Sequence, residues 1–406
     1  MASILIRNIK SLVGIRQSGI QMLKGKEMAE LPSIENAWLL IENRLIKSYG
    51  ENDTAPGNAD DVIDASGKFV FPCWCDSHTH IVYAGSREGE FVDKINGLSY
   101  EQIANRGGGI LNSAKKLASA SESELFDAAW QRLEEIKNFG TGAVEIKSGY
   151  GLSYEAELKM LRVIRTLKER SKLTIKANFL GAHAFPAEFK QDREGYLNLL
   201  INKLLPQIAA EGLADFIDVF CDRGFFSADE TDRILQAGEK YGLRAKIHAN
   251  ELDYSGGIEV GVKNNALSVD HLEFTGDKQI EALRNSTTMP TLLPSTAFFL
   301  GLNYAPARKM IDAGLPVAIA SDFNPGSSPS GNMPFVLSLA CLQMKMLPEE
   351  AINAATLNSA YAMGIQEQMG SITIGKKANV FITKPISSPA FLPYSFGSNL
   401  VERVIV

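Results

Sequence analysis

Histidine, cysteine and tryptophan are scarce in this chain, whose 406 residues carry five, four and three of them. The four cysteines, Cys73, Cys75, Cys221 and Cys341, show no framework spacing, which excludes a small disulfide-stapled scaffold and fits a reducing compartment. A basic surplus is also missing. Against 47 aspartates and glutamates stand 41 lysines and arginines, for a net charge of −6, so no global field exists to hold nucleic acid or an anionic membrane. Short basic pairs such as Lys115-Lys116 and Lys376-Lys377 read as solvated faces. No uncharged apolar run of about 18 residues suggests a membrane span. The start, MASILIRNIKSLVGI, alternates apolar and polar residues and does not read as a signal peptide. These absences leave a cytoplasmic enzyme as the simplest expectation, with a small molecule as its partner and neither nucleic acid nor membrane; a homodimer is compatible with that reading.

What is present can build a large core, since 45% of residues are hydrophobic and 22% charged. The length suits a barrel of about 250 to 300 residues plus a smaller module. Residues 1 to 65 hold short strand-like pieces, Ile4-Leu5-Ile6 and Trp38-Leu39-Leu40-Ile41 among them, separated by turn-prone stretches. The tail, 370–406, returns to that character with Val380-Phe381-Ile382 and Val401 to Val406. The expectation is one small β domain assembled from both ends, with residues 66–369 between them.

In that middle region apolar strands alternate with amphipathic helices, the cadence of repeated βα units. One helix is expected from Glu122, with Leu125, Ala129, Leu133 and Ile136 on one face, Ser121 as its cap and Gly140 as its stop. A second starts after Ser153, and a third spans Asp229 to Tyr241. Strands are expected to end near Asp76, Lys147, Gly181, Phe220, Ala249, His271, Leu293 and Asp322. Eight βα units fit a TIM-type (β/α)8 barrel, although alternation alone also fits a doubly wound sheet.

The placement of the histidines favours the barrel. His78, His80, His183, His248 and His271 each fall at or just beyond an expected strand end, where barrel enzymes place their chemistry. Any one of them alone would read as a core histidine satisfied by a carbonyl. In His78-Thr79-His80 a period of two puts both rings on one side of an extended chain, able to grip one cation. His248 and Asp322 follow at later strand ends, and neutral imidazoles with a carboxylate and one open position make a catalytic zinc or iron site. Such an ion lowers the pKa of a bound water towards about 7 and polarises a carbonyl. His271 is expected beside the water rather than on the ion.

This order, His-x-His and then His, His and Asp at later strand ends, resembles the amidohydrolase superfamily. The resemblance implies a metal-bearing barrel joined to a small β-sandwich made from both termini, and nearly the whole chain fits it. Longer stretches resemble one branch: Asp76-Ser-His-Thr-His80 continuing to Ala84-Gly-Ser-Arg87-Glu-Gly-Glu-Phe91, then Gly107-Gly-Gly-Ile110, Glu145-Ile-Lys-Ser-Gly-Tyr-Gly-Leu152, Gly181-Ala-His183, His248-Ala-Asn-Glu251 and Ser321-Asp-Phe-Asn-Pro-Gly326. That branch implies hydrolysis of the cyclic amide 4-imidazolone-5-propanoate to N-formimidoyl-L-glutamate, a step of histidine breakdown.

Carried over position by position, the resemblance implies metal ligands at His78, His80, His248 and Asp322. It implies substrate contacts at Arg87, Tyr150, His183, Glu251, Asn324, Gly326 and Ser327, with Ser327 standing where threonine is usual. Glu251 and His271 are expected to orient the water and relay its proton, and Asp322 to collect a proton late. Arg87 also suits the task on physical grounds, because its planar fork matches a carboxylate. Cys73 and Cys75 offer themselves as soft extra ligands, yet on a buried strand a thiol acts as a small hydrophobe. One ion per chain is expected, because the fourth strand reads Val219-Phe220-Cys221-Asp222-Arg223 and supplies no bridging lysine. The competing readings are another cyclic-amide hydrolase or a nucleobase aminohydrolase of the same superfamily, and a barrel that serves as a non-catalytic scaffold.

Overall fold

The computed structural model describes residues 3–98, 102, 106 and 108–406; Gly107 of the glycine motif lies outside them. Its strands fall into two sheets. The first holds β1 (Ser3–Val13), β2 (Ser33–Glu42), β3 (Leu45–Glu51), β4 (Asp61–Asp64) and β5 (Phe69–Pro72). The second runs through β6 (Trp74–Thr79), β7 (Thr141–Lys147), β8 (Thr174–Ala182), β9 (Phe216–Cys221), β10 (Arg244–Ala249), β11 (Ser268–His271), β12 (Met289–Leu292) and β13 (Ala318–Ile319). The chain then returns to the first sheet with β14 (Val380–Thr383) and β15 (Val401–Ile405).

The first sheet has seven strands in the order β15-β14-β5-β1-β2-β3, with β4 beside β1. Sequence-distant ends meet here: β14 pairs antiparallel with β5, whose Val70 lies opposite Ile382, and β5 pairs parallel with β1. Alternation along β1 and β2 sends Ile6, Ile9, Leu12, Leu39 and Ile41 to one apolar cluster, where Val380 and Ile382 join them. The sheet draws on β5, which begins four residues beyond 65, because the apolar run Phe69-Val70-Phe71 continues the same surface.

All eight strands of the second sheet are parallel neighbours in chain order. Its two edges also meet: the Asp322 N–H donates to His78 O at 3.0 Å and the His80 N–H to Phe323 O at 2.9 Å. These bonds bring the last strand's exit onto the first strand and bend the sheet into a nearly closed barrel flanked by helices.

Local chemistry explains the helices that cover it. Ser121 caps Glu122–Asn138 by accepting from the Glu124 N–H at 3.2 Å, while the Glu124 carboxylate accepts from the Ser121 N–H at 2.8 Å. Leu125, Ala129, Leu133 and Ile136 form its buried face, and Gly140 leaves it at φ +93°. Ser153 caps Tyr154–Arg170 by accepting from the Ala156 N–H at 3.3 Å. The third expected helix is Ala228–Glu239, capped by Ser227, and it ends two residues before Tyr241 in a tight turn from Tyr241 N–H to Gly238 O. Among the described residues, no helix is long and apolar enough to cross a membrane.

Candidate metal centre

The carboxyl ends of the barrel strands bring the five histidines together. β6 delivers His78 within its last residues and His80 just after, β10 delivers His248, β11 ends on His271, and His183 follows β8. Beyond β13 the chain turns at Asp322 with φ +51°. His271 and Leu272 hold φ +85° and +73° and Asn250 holds +54°, so left-handed, strained backbone clusters at this end of the barrel.

The donor atoms converge. Asp322 Oδ1 lies 3.5 Å from both His78 Nε2 and His80 Nε2, and His80 Nε2 lies 3.4 Å from His248 Nε2. His78 belongs to two trios of ligand atoms within reach of one ion, one with His80 and Asp322 and the other with His248 and His271. His271 thus lies within reach of the same cluster.

Carboxylates behind the rings set which nitrogen is bare. The His78 Nδ1–H donates to Asp270 Oδ2 at 2.7 Å, and the His248 Nδ1–H to Asp218 Oδ1 at 3.0 Å, leaving Nε2 of each ring as a lone pair aimed at the cluster. His78 Nε2 is buried without a hydrogen-bond partner among the described residues. Burial, then Lys147 and the neighbouring rings, hold His78 well below the usual imidazole range. Burial with His183 and His248 does the same to His80, and burial with His248 and Lys147 to His271. These rings stay neutral at pH 7, as metal ligands must. The bare Nε2 atoms of His78 and His248, together with His80 Nε2 and the Asp322 carboxylate, gather into a donor set that suits a cation. Their separations of 3.4 to 3.5 Å match the edge of a tetrahedron with its centre about 2.1 Å from each corner. The residues present fit a metal ion.

Asp322 is further held by the Thr296 hydroxyl at 2.6 Å and the Ser327 hydroxyl at 3.3 Å. Burial pushes its pKa up, against those hydrogen bonds. Glu251 has its N–H bound to Asp222 and its carboxylate 3.7 Å from His271 Nδ1. Burial, then Asp322 and Asp222, raise Glu251 to about 8. Burial and the Glu251 charge raise Glu273 well above the carboxylate range, and it lies 4.0 Å from His271.

The remaining expected contacts ring this cluster. His183 stacks on His80 with centroids 5.3 Å apart, and Tyr150 lies 5.3 Å from His183 and 5.8 Å from His80. Asn324 folds its own loop, donating to Asp322 O and accepting from the Gly326 and Ser327 N–H groups at 2.8 Å. A Cβ on Gly326 would come within 2.0 Å of Arg87 Nη1, so Gly326 is where the guanidinium passes. Arg87 is anchored by Glu90, with Nε and Nη2 each 2.8 Å from Oε2. Cys73 and Cys75 are fully buried, and burial pushes the Cys75 thiol to about 12, as befits small hydrophobes.

Beneath the histidines lies a group that sequence reading did not assemble. Lys147 donates to Glu145 and Asp218 at 2.6 Å and lies 3.7 Å from Asp270. Lys246 donates to Ser77 O at 2.8 Å and pairs with Glu145, and Asn178 bridges Glu145 and Asp218. All are fully or almost fully buried. Burial pushes Asp218 upward, yet Lys147 and His248 outweigh it and hold Asp218 well below its usual value. The available signal was charge at period two inside apolar strands, as in Ala143-Val-Glu-Ile-Lys147 and Phe216-Ile-Asp-Val219.

The comparisons with known proteins agree with this geometry. The model of the amidohydrolase family matches residues 86–390. The chain belongs to the amidohydrolase family. Its fold resembles an adenosine deaminase from Xanthomonas campestris with bound zinc, at TM-score 0.74 and 14% identity over 100% of this chain and 92% of that one. A guanine deaminase from C. acetobutylicum gives TM-score 0.73 and 14% identity, covering 99% and 98%. The curated relatives narrow the membership to the imidazolonepropionases. That of Flavobacterium johnsoniae is 60% identical over 99% of this chain and 98% of its own length. The imidazolonepropionase of Christiangramia forsetii is 57% identical, over 100% and 98%.

Proposed function

We propose that this chain hydrolyses the cyclic amide of 4-imidazolone-5-propanoate to N-formimidoyl-L-glutamate in histidine catabolism. The observation that carries the reading is full-length identity of 57 to 60% to imidazolonepropionases in a chain whose strand ends converge on a metal-ready cluster. His78, His80, His248 and Asp322 would hold one zinc or iron ion. When bound, that ion polarises the amide carbonyl and lowers the pKa of a water.

The chain's own residues do the rest. Arg87, held flat by Glu90, receives the propionate as a charge-assisted fork. Tyr150 and His183 hold the ring, and the Asn324 to Ser327 loop shapes the pocket beside Asp322. Glu251 in its ionised form takes a proton from the attacking water and returns it to the leaving nitrogen; the cation, when bound, would favour that form against the burial and the Asp322 and Asp222 charges that raise the carboxyl. His271, 3.7 Å from Glu251, orients the same water, and Asp322 collects a proton late.

The domain reading belongs here too: a composite β-sandwich of residues 1–65 plus 370–406 and a metal-dependent barrel of 66–369; strands from both ends sharing one sheet support the composite domain, while β5 (Phe69–Pro72) carries that sheet a few residues into the range given to the barrel. Cytoplasmic location completes the proposal. The deciding experiment incubates purified, metal-loaded protein with imidazolone propionate and follows loss of the ring chromophore. Turnover is expected; a fully metallated preparation that leaves the chromophore intact while deaminating guanine or adenine would sink the reading.

A further inference from the structure

Glu157 stands outside every residue discussed so far, on the first turn of the Tyr154–Arg170 helix, and is fully buried. Its carboxylate is saturated by one loop. Oε1 accepts from the Gly151 N–H at 2.7 Å and the Leu152 N–H at 2.9 Å, and Oε2 from the Gly149 N–H at 3.2 Å. The Ser148 hydroxyl adds a further hydrogen bond. Burial of a carboxylate without such donors would be costly, and here the loop has curled its backbone around the charge.

The loop cannot take this shape by propensity alone. Gly149 sits at φ +107° and Leu152 at φ +53°, the latter an uncommon state for a branched side chain. A Cβ on Gly151 would lie 2.4 Å from the Glu157 nitrogen, and one on Gly149 would lie 2.9 Å from His183 Nδ1. Close approach of the helix on one side and of His183 on the other therefore requires glycine at both places.

Two groups of the proposed pocket hang on this loop. Tyr150 lies between the two glycines. The Gly149 carbonyl faces His183 Nδ1 at 2.9 Å, and since a carbonyl only accepts, Nδ1 carries the proton. In the neutral ring Nε2 is then the acceptor. We infer that Glu157 is a positioning residue for the substrate pocket: by binding the 149–152 backbone it places Tyr150 and fixes the Nδ1–H tautomer of His183, which makes His183 an acceptor for a ring N–H of the substrate. This rests on the imidazolone reading for the identity of the substrate but not for the loop's construction.

The test uses metal-loaded, full-length protein and Glu157→Gln, which keeps size and sets an amide NH2 against the loop's N–H donors. Metal content is expected to stay at the parent value, KM to rise about 10- to 100-fold and kcat to change by less than about threefold. In parallel, 15N spectra of the imidazoles, recorded without substrate, should show the Nδ1–H tautomer of His183 in the parent and its loss or averaging in the variant. Glu157→Asp, with a shorter reach to the same donors, should restore part of both readouts and guards against a variant that fails to fold. Parent-like KM together with a parent-like His183 tautomer in Glu157→Gln would overturn the inference. If the parent itself ignores imidazolone propionate, the functional reading fails, while the tautomer measurement still decides the role of Glu157.

Discussion

The first sheet packs Ile6, Ile9, Leu12, Leu39 and Val380 against one another, whereas the barrel buries Lys246, Glu145, Asp218 and Asp270 within its strands and Lys147 at the end of β7. Both obey the same period of two, so every second side chain points inward in each. In the first sheet, burial of aliphatic surface supplies the stability directly. In the barrel, charges have been taken out of water at a cost, and two lysines offset two of three carboxylate charges, while two of those carboxylates orient the His78 and His248 imidazoles. One sheet is built to be stable; the other spends stability to fix the direction of lone pairs.

The sharpest break in that contrast is His80→Ala. It should abolish metal retention and activity together, read by elemental analysis and the chromophore assay; a variant that keeps both would remove His80 from the ligand set. Glu251→Gln comes next, with metal retained and turnover reduced by roughly 10² to 10⁴. An unchanged rate across the pH range, in fully metallated protein, would dismiss Glu251 as the proton carrier. Lys147→Met leaves Glu145, Asp218 and Asp270 under-compensated and should lower unfolding free energy by about 3 to 5 kcal/mol in denaturant titration. A neutral result would show the network to be dispensable. Arg87→Ala should lower kcat/KM by roughly 10- to 150-fold, from a lost charge-assisted contact of about 1.5 to 3 kcal/mol, with Arg87→Lys only a partial rescue. Kinetics like the parent's would take the propionate away from Arg87. The smallest effect belongs to the apolar sheet: Ile6→Val should cost about 0.5 to 1.5 kcal/mol and leave kcat unchanged. A loss of turnover there would mean that the two sheets are coupled.

Much of this was readable in advance where periodicity and capping speak locally. Expected strand ends at Lys147, Ala249 and His271 coincide with β7, β10 and β11, and Ser121 starts its helix as a capping residue should. Elsewhere the chain differed from its local signals. β6 continues three residues past Asp76 to Thr79, so His78 lies on the strand itself. β13 stops at Ile319, three residues short of Asp322, where the backbone enters the left-handed region at φ +51°. The first sheet extends to Pro72 because β5 pairs there with β14, a segment distant along the chain that no local pattern reveals.

By itself the sequence determined the alternation of strands and helices, the five histidines at strand ends and the family to which these motifs belong, since each depends on spacing within a short stretch of chain. Tertiary structure alone decided which nitrogen of His78 and His248 is bare, how far Glu251 is raised, and that Glu157 grips the loop beside it. Those properties depend on burial and on partners far away along the chain, such as Asp270 for His78 at 2.7 Å, and a low-dielectric interior makes such contacts decisive in a way that no local pattern encodes.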